Sequence, residues 1–481
     1  MTLIMHDLNT PIKNEFEILA NLQHKMISVL TCDDSQNSLE IVILLDYLNE
    51  ISIETNFSIY EGFLHLLVHL SIYFNYCQKN EQIQTSFFII LKELISKHSL
   101  QKTFHQSTLF YIFHKNKQFL LFLLEEGIVD IRLIKQTILN TKNKNFFFYF
   151  FPEIKKSHPK FFQRLKNYFK VTDDDLNNFY YDLNQINEKE RGSITKINYD
   201  IRKQNHSPEK IAQIIREDDL DSFIKFVEIN KADIDSNMPE YLRISVNQLR
   251  HLAIDNDRFT AFLRSHPSLM GKKKGVNLNS FICKSLLENN QIFDRISGVN
   301  LLEYSMAFGS INIFRYLWLH KVTYSSSSLE FAIMGGNYEI LHALEDESNF
   351  NFDEKNYYQS LKYHKSEVSE YLFDSIKMEK PKITEIFPYF QASCNFILIR
   401  EYFDSLNIDP LLTYLILYSS ELQFHLFYKF ALQQPNFDHY RKSKNIIKNL
   451  FKVMTIFLKG ILTPILTIQY SIWHVVWAIM N

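Results

Sequence analysis

The residues whose types and spacing could do chemistry are few and scattered. His65 and His69 stand four apart, the spacing that places two imidazoles on one helix face as metal ligands. An acidic third ligand is not obvious, and Leu66, Leu67 and Val68 between them indicate a helix with its histidines at the edge. Asp173, Asp174 and Asp175 could bind a cation but read as a solvated linker run. Lys272 to Lys274, flanked by Gly271 and Gly275, could contact RNA or an import factor and read as a solvated loop. Ser325 to Ser328 read as the cap of a helix starting near Leu329 rather than as a modification site. The chain contains no GxxxxGK[ST] phosphate loop and no GxGxxG, HExxH or GxSxG motif. The expectation is a non-enzymatic protein with no catalytic residue, no metal and no cofactor.

The elements that would have to position any site are helical. Among 481 residues, 46% are apolar and 22% charged, enough for a large core. Gly (10) and Pro (11) are each about 2% of the chain, well below ordinary usage. A chain this poor in turn-formers excludes collagen-like, linker-rich and tight-turned all-β classes. Aromatics reach 15%, mostly Phe (42) and Tyr (26). With a net charge of −2 and a pI near 6.8, the chain has no overall footprint for nucleic acid. Cys32, Cys77, Cys283 and Cys394 form no CxxC pair, which suits reduced thiols in the cytoplasm. Met1 to Leu19 carries no basic region followed by an apolar one, so no secretory signal is read there.

Internal repeats decide the expected fold. Leu302 to Leu317 (LEYSMAFGSINIFRYL) and Leu329 to Leu344 (LEFAIMGGNYEILHAL) align without a gap. Each opens Leu-Glu-aromatic and follows with a small residue, Ser305 or Ala332. Each reaches Gly at the eighth position, Gly309 or Gly336, then an apolar residue, Ile313 or Ile340, and closes on Leu317 or Leu344. A third copy, Tyr357 to Leu372, keeps Ser360, Val368 and Leu372, and a fourth, Pro388 to Phe403, keeps Ile399 and Phe403. Steps of 27, 28 and 31 residues separate the four. The pattern predicts a helix, a tight turn and a second helix, with the small residue allowing close packing of the first helix. The eighth position must turn left-handed, which Gly tolerates freely and Asn, Asp or His better than most. His364 and Asn395 stand there in the later copies. Asp219 and Asn116 stand there in two further frames, Ala212 to Val227 and Leu109 to Leu124.

These segments resemble the ankyrin repeat, whose Leu, small residue, Gly and apolar pair are echoed by Leu302, Ser305, Gly309, Ile313 and Leu317 and by Leu329, Ala332, Gly336, Ile340 and Leu344. More narrowly, Ile211 to about Ile376 is similar to the uncharacterised domain that merges with ankyrin arrays in large families of trichomonad-like protist proteins. In the N-terminal half, Gly127 and Asp130 of FHKNKQFLLFLLEEGIVD echo the ankyrin Gly-Ala-Asp loop. No copy has the Thr-Pro of the family signature, and the 27- and 28-residue steps fall short of the usual 33. The residues missing between Leu317 and Leu329 are those of the β-hairpin finger, so finger-mediated peptide binding is not expected. The resemblance implies an all-α, ankyrin-like helical-repeat solenoid with a helical N-terminal region, acting as a monomeric protein-binding scaffold of unknown partner.

Along the chain, 1–170 reads as the helical N-terminal region, with buried helices over Leu39–Leu48, Phe63–Phe74 and Phe87–Ile95. The aromatic run Asn145–Phe151 reads as a packed helix end closed by Pro152. Residues 171–206 form a polar linker, and 207–440 the repeat array, opening with Ser207 as N-cap, Pro208 and Glu209. Residues 441–481 read as a basic then apolar C-terminal tail; from 439 on there are six basic and no acidic side chains, leaving −8 on residues 1–438. Within this tail, Gly460 to Met480 has 21 residues with no charged side chain except an optionally protonated His474, about the length that spans a bilayer. The alternative reading is therefore a tail-anchored membrane adaptor with the solenoid facing the cytoplasm. Pro464 argues against a continuous spanning helix.

Overall fold

The computed structural model describes residues 2–74, 81–177, 199–203, 206–232, 278–282, 285–293, 298–382, 385–386, 389–390 and 393–403. The described chain is all-α, apart from one antiparallel pair of two-residue strands, Phe281–Ile282 and Val299–Asn300. The residues divide into two compact units.

One unit comprises Met1–His69, Lys92–Thr103 and Lys377–Asn481. Helix Thr2–Thr31 organises it, with Asp34–Glu50 packed along one side and Phe396–Phe403 along another. Phe16 meets Phe396 at a centroid distance of 6.4 Å. Buried Gln23 donates to Asn395 Oδ1 at 2.8 Å and accepts from Ile397 N at 3.0 Å. The fourth repeat copy thus contributes to this unit by packing on the N-terminal helix. Helices Phe57–Tyr73 and Glu81–Ser96 contain the expected buried segments. In Asp34–Glu50, however, Leu39, Val42 and Ile43 are exposed, because only one side of that helix faces a neighbour.

The other unit comprises Leu70–Leu91 and Phe104–Ile376. Its helix Lys144–Ser157 holds the aromatic run, and Phe146 through Phe151 are all buried. The helix does not end at Pro152 as the sequence suggested but runs on to Ser157. Burying six consecutive rings, each worth about 2 kcal/mol, outweighs the roughly 3 kcal/mol cost of an internal proline. The C-terminal end of the expected linker is tied to this helix. Arg202 donates to Glu153 at 2.7 and 2.8 Å and to Tyr149 O at 2.8 Å, while Tyr149 Oη donates to Arg202 O at 2.6 Å.

Four helix pairs follow: Lys210–Arg216 with Leu220–Ala232, Leu301–Ala307 with Ile311–Leu319, Leu329–Gly335 with Tyr338–Glu347, and Glu354–Lys362 with Ser366–Ile376. First helices stack on first helices through all four pairs, and second helices on second helices. The first pair starts at Lys210, capped at Glu209, two residues beyond the expected start. Ser207 is instead buried, its N–H donating to Glu288 and its carbonyl accepting from Arg216.

The left-handed turns separate the copies. Gly309, Gly336 and His364 have φ of 62°, 68° and 56°. In the other frames the sequence position was wrong. Asp218 (φ 50°) and Cys394 (φ 55°) turn left-handed, one residue before Asp219 and Asn395. Asn116 is extended at φ −112° and caps the next helix by accepting from Phe119 N. Several turns at helix ends are filled by lysine: Lys142, Lys170, Lys321 and Lys377 all have φ between 51° and 56°. Such a conformation costs an L-residue about 1–2 kcal/mol that glycine avoids. Lys321→Gly should therefore stabilise the protein by about 0.5–1 kcal/mol after glycine's larger unfolded-state entropy is subtracted. A rise in the urea midpoint at unchanged slope is the expected result, and a fall would refute the assignment.

Candidate interaction surface

The repeat-defining residues form the interior of the stack. Leu302, Ser305, Ile313, Leu317, Leu329, Ala332, Ile340, Leu344, Ser360, His364, Val368 and Leu372 are all buried, and so is Gly309, while Gly336 is partly exposed. Ser305, Ala332 and Ser360 have no exposed surface. Ser305 Oγ donates to Leu302 O at 2.8 Å and Ser360 Oγ to Tyr357 O at 2.5 Å, and Ser360 Oγ also meets Ser369 Oγ of its pair's second helix at 2.7 Å.

Polar side chains tie one pair to the next. At the turns, the Asp218 carboxylate accepts from Asn312 N at 3.1 Å, Ile313 N at 3.0 Å and Asn312 Nδ2 at 2.8 Å. It thereby caps the following pair's second helix, where negative charge meets the positive end of the helix dipole. Ser310 Oγ donates to Ile215 O at 2.5 Å, and Asn337 Nδ2 to Gly309 O at 3.1 Å. At the opposite end of the first helices, buried Glu303 closes a capping box with Asn300 and accepts from Ser328 Oγ of the next pair at 2.7 Å. One repeat later Glu330 accepts from Tyr363 Oη at 2.8 Å, with Lys362 Nζ at 3.8 Å. Burial pushes the Lys362 ammonium below its usual range, against the opposing pull of Glu330.

Glu303 and Glu330 are structural residues that the sequence reading did not single out, although both copies carry the Leu-Glu signal. Gly335 is another. A Cβ there would lie 2.0 Å from Met306 O and 3.0 Å from Gly309 N. The neighbouring pair's backbone thus passes close to Gly335.

The chain itself covers the first helices on the side away from the second ones. Phe293 lies against Tyr304, Phe308 and Phe331 at 5.6–6.1 Å. Asn290 reaches Met334 Sδ, and Tyr73 packs edge-on against Tyr363. All of residues 301–310 are consequently buried. The connections 320–328 and 348–353 contain no strand, and Ser326–Ser328 form a single 3-10 turn. Ser325 N donates to Ser328 Oγ and the two serines close a capping box on this turn, whereas Ser328, the N-cap of Leu329–Gly335, gives that helix no side-chain cap because its hydroxyl donates to Glu303.

The open side of the stack is the outer face of the second helices. Arg315 pairs with Glu339, and Trp318 Nε1 donates to Glu347 at 2.7 Å. Tyr371 donates to Glu345, and its ring meets His342 at 5.1 Å and Tyr338 at 6.0 Å. Leu319 is 79% exposed. Burial raises the Tyr338 hydroxyl above its usual range, and the nearby charges of Glu367 and Glu370 raise it further.

Among the described residues, no group of three or more His, Cys, Asp or Glu side chains comes together to hold a metal. His65 and His69 are both buried on Phe57–Tyr73. Asp173 pairs with Lys166 at 2.7 Å, which holds its carboxyl below the usual range, while Asp175 accepts from Thr172 N. Cys32 is partly exposed and Cys394 is buried. No described helix is long and apolar enough to cross a membrane. The Lys272–Lys274 run, the basic tail and the apolar segment 460–480 all lie outside the described residues. No family model, no curated protein and no solved structure matches this chain.

Proposed function

We propose that this protein is a non-enzymatic protein-binding scaffold built on an ankyrin-like helical solenoid. The observation that carries this reading is the pair-to-pair stacking of the four described helix pairs. First helices lie on first helices, second on second, and side-chain hydrogen bonds link each pair to the next. Such an array is built from nearest-neighbour interfaces and presents a long continuous face, so recognition is spread over many modest contacts. The short connections speak against finger-mediated binding. With the first-helix side occupied by the chain's own residues, recognition falls to the second helices.

Affinity capture with the full-length chain, quantified by mass spectrometry, tests this reading. The control bait is the Gly335→Ala variant, whose stack should be disrupted. The expected result is a set of proteins retained by the wild type and lost by the variant. Identical retention by both baits would overturn the scaffold reading.

A further inference from the structure

The free face of the stack has a chemical character that selects its partner. The three second helices Ile311–Leu319, Tyr338–Glu347 and Ser366–Ile376 contain seven carboxylates, one arginine and no lysine, a net charge of −6. On the last of these, Glu367, Glu370, Tyr371 and Asp374 follow an i, i+3, i+4, i+7 stripe. Tyr371 brings that stripe against Tyr338 and His342 of the preceding helix. Carboxylates alone would not single out a ligand. Here they are interleaved with exposed ring edges, and Glu339, Asp346, Glu367, Glu370 and Asp374 are all exposed.

We propose that the outer face of the second helices, from Arg315 to Asp374, is a docking surface for a lysine- and arginine-rich polypeptide segment of a partner protein. The inference rests on the scaffold reading and names the chemistry of its partner. Guanidinium and ammonium groups match the face twice over. They form charge-assisted hydrogen bonds with carboxylates and stack on the faces of tyrosine rings. Opposite net charge also speeds encounter and excludes acidic competitors.

The test uses the full-length chain and fluorescein-labelled deca-arginine, read by anisotropy, with deca-glutamate as the negative probe. The face variant combines Asp346→Asn, Glu367→Gln, Glu370→Gln and Asp374→Asn, all at exposed positions. The control variant removes the same charge elsewhere through Asp33→Asn, Asp46→Asn, Glu50→Gln and Glu126→Gln, also exposed. The face variant should bind deca-arginine about tenfold more weakly than wild type, and the control within about twofold. Tyr338→Ala, which leaves the charge unchanged, should weaken binding about fivefold through loss of a cation–π contact. Equal weakening by the face and control variants would reduce the effect to net charge and overturn the inference, as would absence of binding by wild type. If deca-arginine does not bind but capture still separates wild type from Gly335→Ala, the scaffold reading stands and the basic-partner inference falls.

Discussion

Gly335→Ala is expected to destabilise the protein by about 4 kcal/mol or more, while Gly336→Ala next to it costs about 1–2 kcal/mol. The ordering is the informative part. Gly336 has φ 68°, whereas Gly335 has no unusual backbone angle, so conformation alone would make Gly336 the more sensitive residue. Space reverses this. A methyl on Gly336 meets only the Lys365 side chain, at 3.2 Å from Cδ, and that chain can move. A methyl on Gly335 meets the Met306 carbonyl oxygen at 2.0 Å and the Gly309 amide nitrogen at 3.0 Å, which are both backbone atoms, one in the neighbouring first helix and one in the turn that follows it. Relief requires the two helices to separate, and that opens the packed interface between them. Urea unfolding of the two variants measures the difference. A smaller loss for Gly335→Ala than for Gly336→Ala would mean that the first helices are not in close contact.

Glu303→Ala is expected to cost about 2–3 kcal/mol. The carboxylate is 4% exposed and accepts from Asn300 N and from Ser328 Oγ, and Ser328 is fully buried. Truncation leaves both donors without the acceptor they face, and an unmatched buried donor is dearer than a missing pair. Glu303→Gln keeps one acceptor oxygen and should lose about half as much. Because the Ser328 bond joins two successive pairs, a double-mutant cycle with Ser328→Ala should give a coupling of about 1 kcal/mol. A coupling of zero would show that the bond does not help hold the pairs together.

Much of the stack was legible in the chain, and particular residues show why. The Leu-Glu-aromatic openings, the small residues Ser305, Ala332 and Ser360, and the turns at Gly309, Gly336 and His364 all express local rules that one repeat obeys alone. The errors arose where one residue type serves two purposes. Asparagine suits both a left-handed turn and a helix N-cap, so Asn116, which caps, resembles a turn residue. Asp219 and Asn395 drew the turn to themselves, while the left-handed angle sits on Asp218 and Cys394. Lysine carries no left-handed signal, so Lys142, Lys170, Lys321 and Lys377 were invisible as turn residues. They also explain how a glycine-poor chain still turns at its helix ends. Gly335 could not be recognised from the repeat alone, because its constraint is the carbonyl of Met306 in another helix. The cover over the first helices depends on contacts such as Phe293 with Phe331 and Tyr73 with Tyr363, and the latter spans hundreds of residues. That cover moved the candidate surface to the second helices, a shift that no local pattern encodes.

The central claim is that the four described helix pairs between Lys210 and Ile376 form one stacked array whose pairs support each other. Amide hydrogen exchange by mass spectrometry on full-length wild type and Gly335→Ala tests it most directly. In an array of nearest-neighbour interfaces, the variant should lose protection in 329–347 and also in both flanking pairs, 301–319 and 354–376. Loss confined to 329–347, with both neighbours protected as in wild type, would contradict the account.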